Sequence, residues 1–262
     1  MQNGFDISFE FFPPKTSAGM AALIDNAQQL ITLQPKYCSV TFGAGGSIQD
    51  NTAKTITALK NNFDIRAVPH LSCINSDKQR IDTLLQGYKK NGVSDLVVLR
   101  GDLPDSTEKT NGAFQHASDL VRYIRQTTGN AFSIHVAVYP ETHPETLSPI
   151  GDLQYFKQKV DAGANHAITQ YCYNIEAFER MLEDCAKLGI KIPITAGIMP
   201  ITNYMQLARF SNMCGAEIPR WLRLRLESYQ DDMPSLQSFG VDVVANLCQR
   251  LLTLNMAGLH FY

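Results

Sequence analysis

Leu99-Arg100-Gly101-Asp102-Leu103-Pro104 closes an apolar run that begins near residue 95. An unbroken apolar stretch of this length reads as a strand buried on both faces, and here it ends in a polar residue followed by a turn. The same order recurs in Ser8-Phe9-Glu10-Phe11-Phe12-Pro13-Pro14, in Ser39-Val40-Thr41-Phe42-Gly43-Ala44-Gly45 and in Ile168-Thr169-Gln170. Working outward, strand-like runs cover about 6–12, 37–43, 66–73, 95–102, 133–140, 166–173 and 191–198. Helical patterns fall between them, near 17–33, 49–62, 76–91, 113–128, 149–163, 175–188 and 203–214. Asn91-Gly92, Gly129-Asn130 and Gly189 supply helix stops just ahead of the next strand. Such alternation predicts parallel strands joined by helical crossovers.

Leu259-His260-Phe261-Tyr262 reads as an eighth strand, at which the sequence stops, and the segment 218–256 before it carries helical patterns without a strand. Eight strands in 262 residues, close to the roughly 250 of a closed barrel, predict an α/β (β/α)8 TIM barrel. The expectation is one domain over 1–262, with extra helices before the last strand and a missing or truncated final helix.

Composition narrows the classes. The chain is 44% hydrophobic and 18% charged, with a net charge of −2, which suits a globular protein and argues against nucleic acid as a partner. The six cysteines form no C-x-x-C pair and read as buried, reduced thiols. No basic segment followed by an apolar stretch opens the sequence, and no apolar run approaches the ~18 residues of a membrane span. A cytoplasmic protein without a membrane partner is expected.

In parallel barrels the chemistry sits at the C-terminal ends of the strands. Those ends carry Glu10, Thr41, His70, Asp102, Tyr139 and Gln170, and in a closed barrel they converge on one mouth. The opposite ends carry Lys36, Arg66 and Lys191, so no lysine is placed for a Schiff base. Glu10 stands among Phe9, Phe11 and Phe12, and desolvation by such rings would keep its carboxyl protonated, as a general acid requires. Gly101 lets a flat ligand approach the backbone beside Asp102, although Arg-Gly-Asp-Leu-Pro reads equally as a plain turn. Gly43 to Ser47 could cradle phosphate at a helix start, but the spacing is not G-x-G-x-x-G. His70 and His143 suit ligand hydrogen bonding better than metal ligation, since neither H-x-H on the first strand nor H-E-x-x-H occurs. His116, His135, His166 and His260 read as structural or solvent-facing, and spacing alone assigns no phosphate to Lys159.

Taken as an ordered set, these strings resemble methylenetetrahydrofolate reductase. The resemblance rests on Ser8 to Pro14, Ser39 to Gly43, Pro69-His70-Leu71, Leu99 to Pro104 and Tyr139-Pro140-Glu141 with His143-Pro144-Glu145. Asp161 to Ala164 leading to Ile168-Thr169-Gln170, and Gly197-Ile198-Met199-Pro200 with Asn203, extend it. It implies a flavoprotein that reduces 5,10-methylenetetrahydrofolate to 5-methyltetrahydrofolate, with NADH or NADPH as donor through FAD. A place in one-carbon metabolism and methionine biosynthesis follows, with possible self-association into a homo-oligomer.

The resemblance also implies roles. Glu10 would be the general acid that opens the folate ring, and Asp102 the carboxylate beside the flavin and pterin. Glu10, Thr41, Asp102, Gln170, Gln206 and Phe210 would bind folate and nicotinamide. FAD would meet Phe42, Ala44, His70, Arg100, Gly101, Asp102, Ala117, Tyr139, His143, Asp152 and Lys159, with no metal. The chain departs from the family at His116, often a tyrosine, at Tyr155 and Gln158 beside Lys159, and after Tyr262, where a Thr-Leu-Asn-Arg segment and a last helix usually follow. The alternative is a flavin-binding subunit that exchanges electrons with a partner protein and reduces folate weakly by itself.

Overall fold

The computed structural model describes residues 5–42, 46–74, 76–101 and 112–262, without the side chains of 46–50. Eight parallel strands follow one another in chain order and close into a barrel. They are β1 (Asp6–Phe11), β2 (Tyr37–Val40), β3 (Ala67–Ser72), β4 (Asp95–Leu99), β5 (Ser133–Val138), β6 (His166–Thr169), β7 (Ile194–Ile198) and β8 (Gly258–Phe261). Helices α1 (Ser17–Ile31), α2 (Gly46–Asn62), α3 (Lys78–Lys90), α4 (Ala117–Thr128), α5 (Pro149–Asp161), α6 (Ile175–Lys187) and α7 (Tyr204–Cys214) make the crossovers. The expected strand-free segment holds α8 (Arg220–Ser228), α9 (Met233–Leu251) and a short 3-10 turn.

The chain divides into two compact units. One comprises residues 6–136 and 158–166; the other comprises 137–157 and 167–262, with Phe5. In the first, Glu10 registers with Ser39 across β1 and β2, and His70 with Val97 across β3 and β4. Every position of β2 and β3 is buried, as strands covered on both faces require. In the second unit β6, β7 and β8 pair in order.

Local chemistry sets the helix ends. Thr16, Asp77, Asn174, Asn203 and Asp232 cap α1, α3, α6, α7 and α9 by accepting an N–H of the first turn. Gly92, Gly129 and Gly189 follow α3, α4 and α6 with φ of 62°, 60° and 69°, as expected of the stops. The strand-like runs overreach at several ends. Residues 191–193 lie outside β7 because Pro193 offers no N–H; its carbonyl accepts from Ala167 N at 2.9 Å instead. Residues 113–116 lie outside α4, where Phe114 is buried as part of the loop. All six cysteines are free thiols; Cys38, Cys73, Cys172 and Cys185 are buried, while Cys214 and Cys248 are half-buried. No helix among the described residues is long and apolar enough to cross a membrane.

The first unit buries a polar cluster near the N-terminal ends of its strands. Asp95 opens β4 and accepts a hydrogen bond from Ser94 Oγ at 2.5 Å. Its other oxygen lies 3.4 Å from His135 Nε2 and 3.6 Å from Arg66. His135 stacks on His166 with ring centres 4.8 Å apart, and Tyr37 meets it edge-on at 5.3 Å. Burial pushes the Tyr37 hydroxyl up to about 12. Lys36 pairs with Asp6 at the same strand ends.

Candidate active site

At the C-terminal ends of the strands in the first unit, Glu10, Ser39 and His70 come together. Ser39 Oγ donates to Glu10 Oε2 at 3.2 Å, and His70 Nε2 lies 3.0 Å from that oxygen. The His70 and Glu10 side chains are only 9% and 8% exposed. The approach of the two is not aligned as a hydrogen bond, and among the described residues no hydrogen-bond partner meets the buried His70 Nε2. Strand alternation puts Phe9 and Phe11 on the opposite face of β1 from Glu10, and Phe12 is 65% exposed. Among the described residues this carboxylate thus meets a hydroxyl and an imidazole, with the rings of Phe9 and Phe11 on the other face of the strand. Ser39 received no role in the sequence reading; its two-residue spacing from Thr41, which puts both on one face of the chain, was the available sign.

Beside them, the end of β3 clamps the end of β4. The Arg100 carbonyl accepts from Ile74 N at 2.9 Å and from Ser72 Oγ at 2.8 Å. Arg100 Nε donates to the Gly101 carbonyl at 3.2 Å. Gly101 adopts φ +89°, and a Cβ there would sit 2.1 Å from Ser72 Oγ and 2.7 Å from an Ile74 methyl. Its own chain therefore demands this glycine, which needs no ligand to explain it. Asp102 and Ala44 lie outside the described residues. Thr41 N donates to Phe11 O at 3.0 Å, and Thr52 Oγ1 on α2 ties down the Thr41 carbonyl at 2.9 Å; Phe42 follows, half-buried. Ala117 opens α4, where Asp119 accepts from the His116 N–H at 3.0 Å. Lys159 stands in the last turn of α5.

In the second unit the loop after β5 folds on itself. Tyr139 meets His143 edge-on at 4.7 Å. His143 Nδ1 accepts from Glu145 N at 3.1 Å, which assigns the proton of the neutral ring to Nε2. Asp152 accepts from His143 N at 3.2 Å and from Thr146 Oγ1 at 3.4 Å, so its carboxylate shapes the loop that carries His143. Gln170 N continues the ladder to Val138 O at 2.8 Å, while its side-chain oxygen accepts from Tyr171 N at 3.0 Å. Gln206 and Phe210 lie four residues apart on α7 and share a face; Phe210 is 42% exposed. Close by, Gly197 N donates to Thr169 Oγ1 at 2.8 Å and the Tyr262 hydroxyl to Thr169 O at 2.7 Å. A side chain at Gly197 would collide with Thr169 O at 2.1 Å.

Glu141 is a titratable group that the sequence reading left without a role. Burial raises its carboxyl above the usual range, and repulsion from the Glu217 carboxylate adds to this; hydrogen bonds from Glu217 N and the Cys172 thiol, with the Arg180 charge, act against it.

The family model described as methylenetetrahydrofolate reductase matches residues 1–262. The 5,10-methylenetetrahydrofolate reductase of Salmonella typhimurium is 36% identical over all of this chain and 87% of its own length. The methylenetetrahydrofolate reductase (NADH) 1 of Arabidopsis thaliana is 37% identical over 97% of this chain, which spans only 45% of that plant protein. Among solved structures, an uncharacterized Clostridium thermocellum protein that binds two copies of 5-methyl-5,6,7,8-tetrahydrofolic acid superposes with a TM-score of 0.65 at 17% identity. That match covers 98% of this chain and 88% of the other, and shows a shared fold. On sequence and architecture together, the chain belongs to the methylenetetrahydrofolate reductase family.

Proposed function

We propose that the protein reduces 5,10-methylenetetrahydrofolate to 5-methyltetrahydrofolate, drawing electrons from NADH or NADPH through FAD in a ping-pong sequence. The observation that carries this reading is the buried Glu10–Ser39–His70 set in a chain that matches the reductase family from end to end. FAD, when bound, supplies the hydride chemistry, and the protein supplies binding, orientation and a proton.

The residues present suit a flavin. His70 Nε2 is a buried polar atom whose hydrogen bond is unmade among the described residues. His143 has its Nδ1 committed to Glu145, so its Nε2–H is the donor. Arg100 and Lys159 bring positive charge suited to a diphosphate, and Tyr139 an aromatic edge. With Phe42, Gly101, Ala117 and Asp152 these residues would hold the cofactor; the further roles of Ala44 and Asp102 rest on the family resemblance.

Glu10 gives its proton to the leaving ring nitrogen of the folate, because an amine leaves poorly until protonated. Ser39 holds the carboxyl in place. Thr41, Gln170 and Gln206 offer hydrogen bonds to folate and nicotinamide, and Phe210 offers a flat apolar face for either ring. One barrel domain carries both half-reactions, and self-association is part of the same reading.

An anaerobic spectrum tests the proposal. Protein reconstituted with FAD should be yellow, bleach on adding NADH or NADPH, and regain its colour on adding 5,10-methylenetetrahydrofolate. Colour that returns with oxygen but not with the folate would refute the assigned substrate.

A further inference from the structure

We infer that Glu141 is a positioning residue: it latches the loop after β5 to the turn after α7, and so holds the strained backbone at Thr142 that presents His143. The inference rests on the flavoenzyme reading only for what His143 binds.

Thr142 has φ 77°. For a β-branched residue this is a true outlier, since the left-handed region crowds its Cβ and side chain. No glycine or asparagine is there to ease it. Such a conformation persists only where the surroundings over-determine it. Both flanks of Thr142 are in fact anchored. On one side, Glu141 Oε2 accepts from Glu217 N at 2.9 Å. On the other, His143 N donates to Asp152 at 3.2 Å and the His143 ring accepts from Glu145 N.

The turn that receives the latch is itself firm. Gly215 ends α7 with φ +74° and its N–H reaches Ser211 O at 2.9 Å. A Cβ on Gly215 would stand 3.2 Å from the Pro144 ring, so loop and turn pack closely. Ser211 in turn meets the Tyr171 hydroxyl at 3.1 Å. The latch thus joins the loop of Tyr139, His143 and Asp152 to the end of the helix that bears Gln206 and Phe210. A carboxyl kept half-buried against its own desolvation, with a backbone N–H directed at it, is placed for geometry rather than for solubility.

The test compares Glu141→Ala, Glu141→Gln, Thr142→Gly and the double variant Glu141→Ala/Thr142→Gly. The first readout is the long-range nitrogen NMR signature of the His143 ring in flavin-free protein. The second is the Kd for FAD. Wild type and Glu141→Gln, which keeps the acceptor, should show the Nε2–H tautomer. Glu141→Ala should lose that signature and bind FAD about tenfold more weakly, or about 1.4 kcal/mol. Glycine at 142 adopts the left-handed backbone without a latch, so the double variant should recover both readouts. An unchanged His143 signature in Glu141→Ala, or a double variant that recovers neither readout, would overturn the inference. Should Glu141→Ala fail to fold, Thr142→Gly in the wild-type background decides: an equal or higher Tm with an intact His143 signature supports the latch, and a lower Tm or a lost signature refutes it. Wild type that takes up no FAD would defeat the flavin reading, while the His143 signature would still judge the latch.

Discussion

The first unit holds two histidine–carboxylate pairs, at opposite ends of its strands, and they are built differently. Asp95 and His135, at the N-terminal ends, sit in a polar network: Ser94, Arg66, His166 and Tyr37 all engage them. Glu10 and His70, at the C-terminal ends, are as deeply buried, yet among the described residues His70 Nε2 makes no aligned hydrogen bond, although Glu10 Oε2 lies 3.0 Å away. A buried polar atom without a partner costs about 1–3 kcal/mol, and the cofactor proposed for this site would give His70 its partner. The same two side-chain types thus make a polar joint at one end and the proposed reactive site at the other.

The sharpest way to break this contrast is to neutralise each carboxylate in turn. Glu10→Gln keeps the shape and removes the proton donor. The folate half-reaction should fall by about 10²–10⁴-fold, with Tm little changed and with flavin reduction by the nicotinamide almost intact. Stopped-flow traces of the two half-reactions check this, and an equal loss in both would strip Glu10 of its role as the acid.

Asp95→Ala should do the reverse. Burial alone would raise the Asp95 carboxyl, but hydrogen bonds from His135 and Ser94 and the Arg66 charge outweigh it and hold the group below its usual range. Removing it leaves His135 and Arg66 without their anion, at a cost of about 3 kcal/mol, the low end for a broken buried pair because Arg66 is half exposed. The melting temperature should drop while turnover per folded molecule stays. A loss of activity at constant Tm would mean that the Asp95–His135 pair is not merely structural.

The contrast was only partly legible in the sequence. Strand positions were readable because β2, β3 and β4 are apolar almost throughout, and the crossover helices because caps such as Asp77 and Asn203 and stops such as Gly92 act locally. The polar residue closing each strand marked Glu10, His70 and Gln170 as candidates. What could not be read was the partner of each. Phe9 and Phe11 adjoin Glu10 in sequence, but the pleat turns them to the other face, and its partners come from β2 and β3, 29 and 60 residues onward. Gly101 read as an opening for a ligand, and the side on which a Cβ would stand is taken by Ser72 and Ile74, a long-range contact with no trace in the local sequence. Strain at Thr142 leaves no compositional trace, since threonine is an ordinary loop residue.

Ser39→Ala probes the same contrast more gently. It deletes the hydroxyl that donates to Glu10 and leaves the carboxyl in place. A hydrogen bond to a group of this kind is worth about 1 kcal/mol, so the folate half-reaction should slow by about fivefold. The pH profile of that step should shift as well, because a donor to the carboxylate favours its charged form. A rate change without any shift of the profile would reduce Ser39 to a packing residue.

The smallest effect concerns acid stability of the polar cluster at the strand starts. Burial lowers the His166 imidazole below its ordinary 6.5; the positive charges of His135, Lys36 and Arg66 add to this, and Asp95 opposes them. Below pH 6.5 the unfolded chain therefore binds a proton that the folded one still refuses. The stability His166 contributes is full above that pH and fades as pH falls through the folded value. The Asp95 contribution has the same sign in a lower window, full above 3.8 and lost as the pH drops further. Between pH 7 and 5 the Tm of wild type should thus decline toward acid, and His166→Gln should flatten part of that decline. Parallel curves over this range would show that the stacked ring takes no part in the titration, and the joint at the strand starts would then owe its acid sensitivity to Asp95 alone.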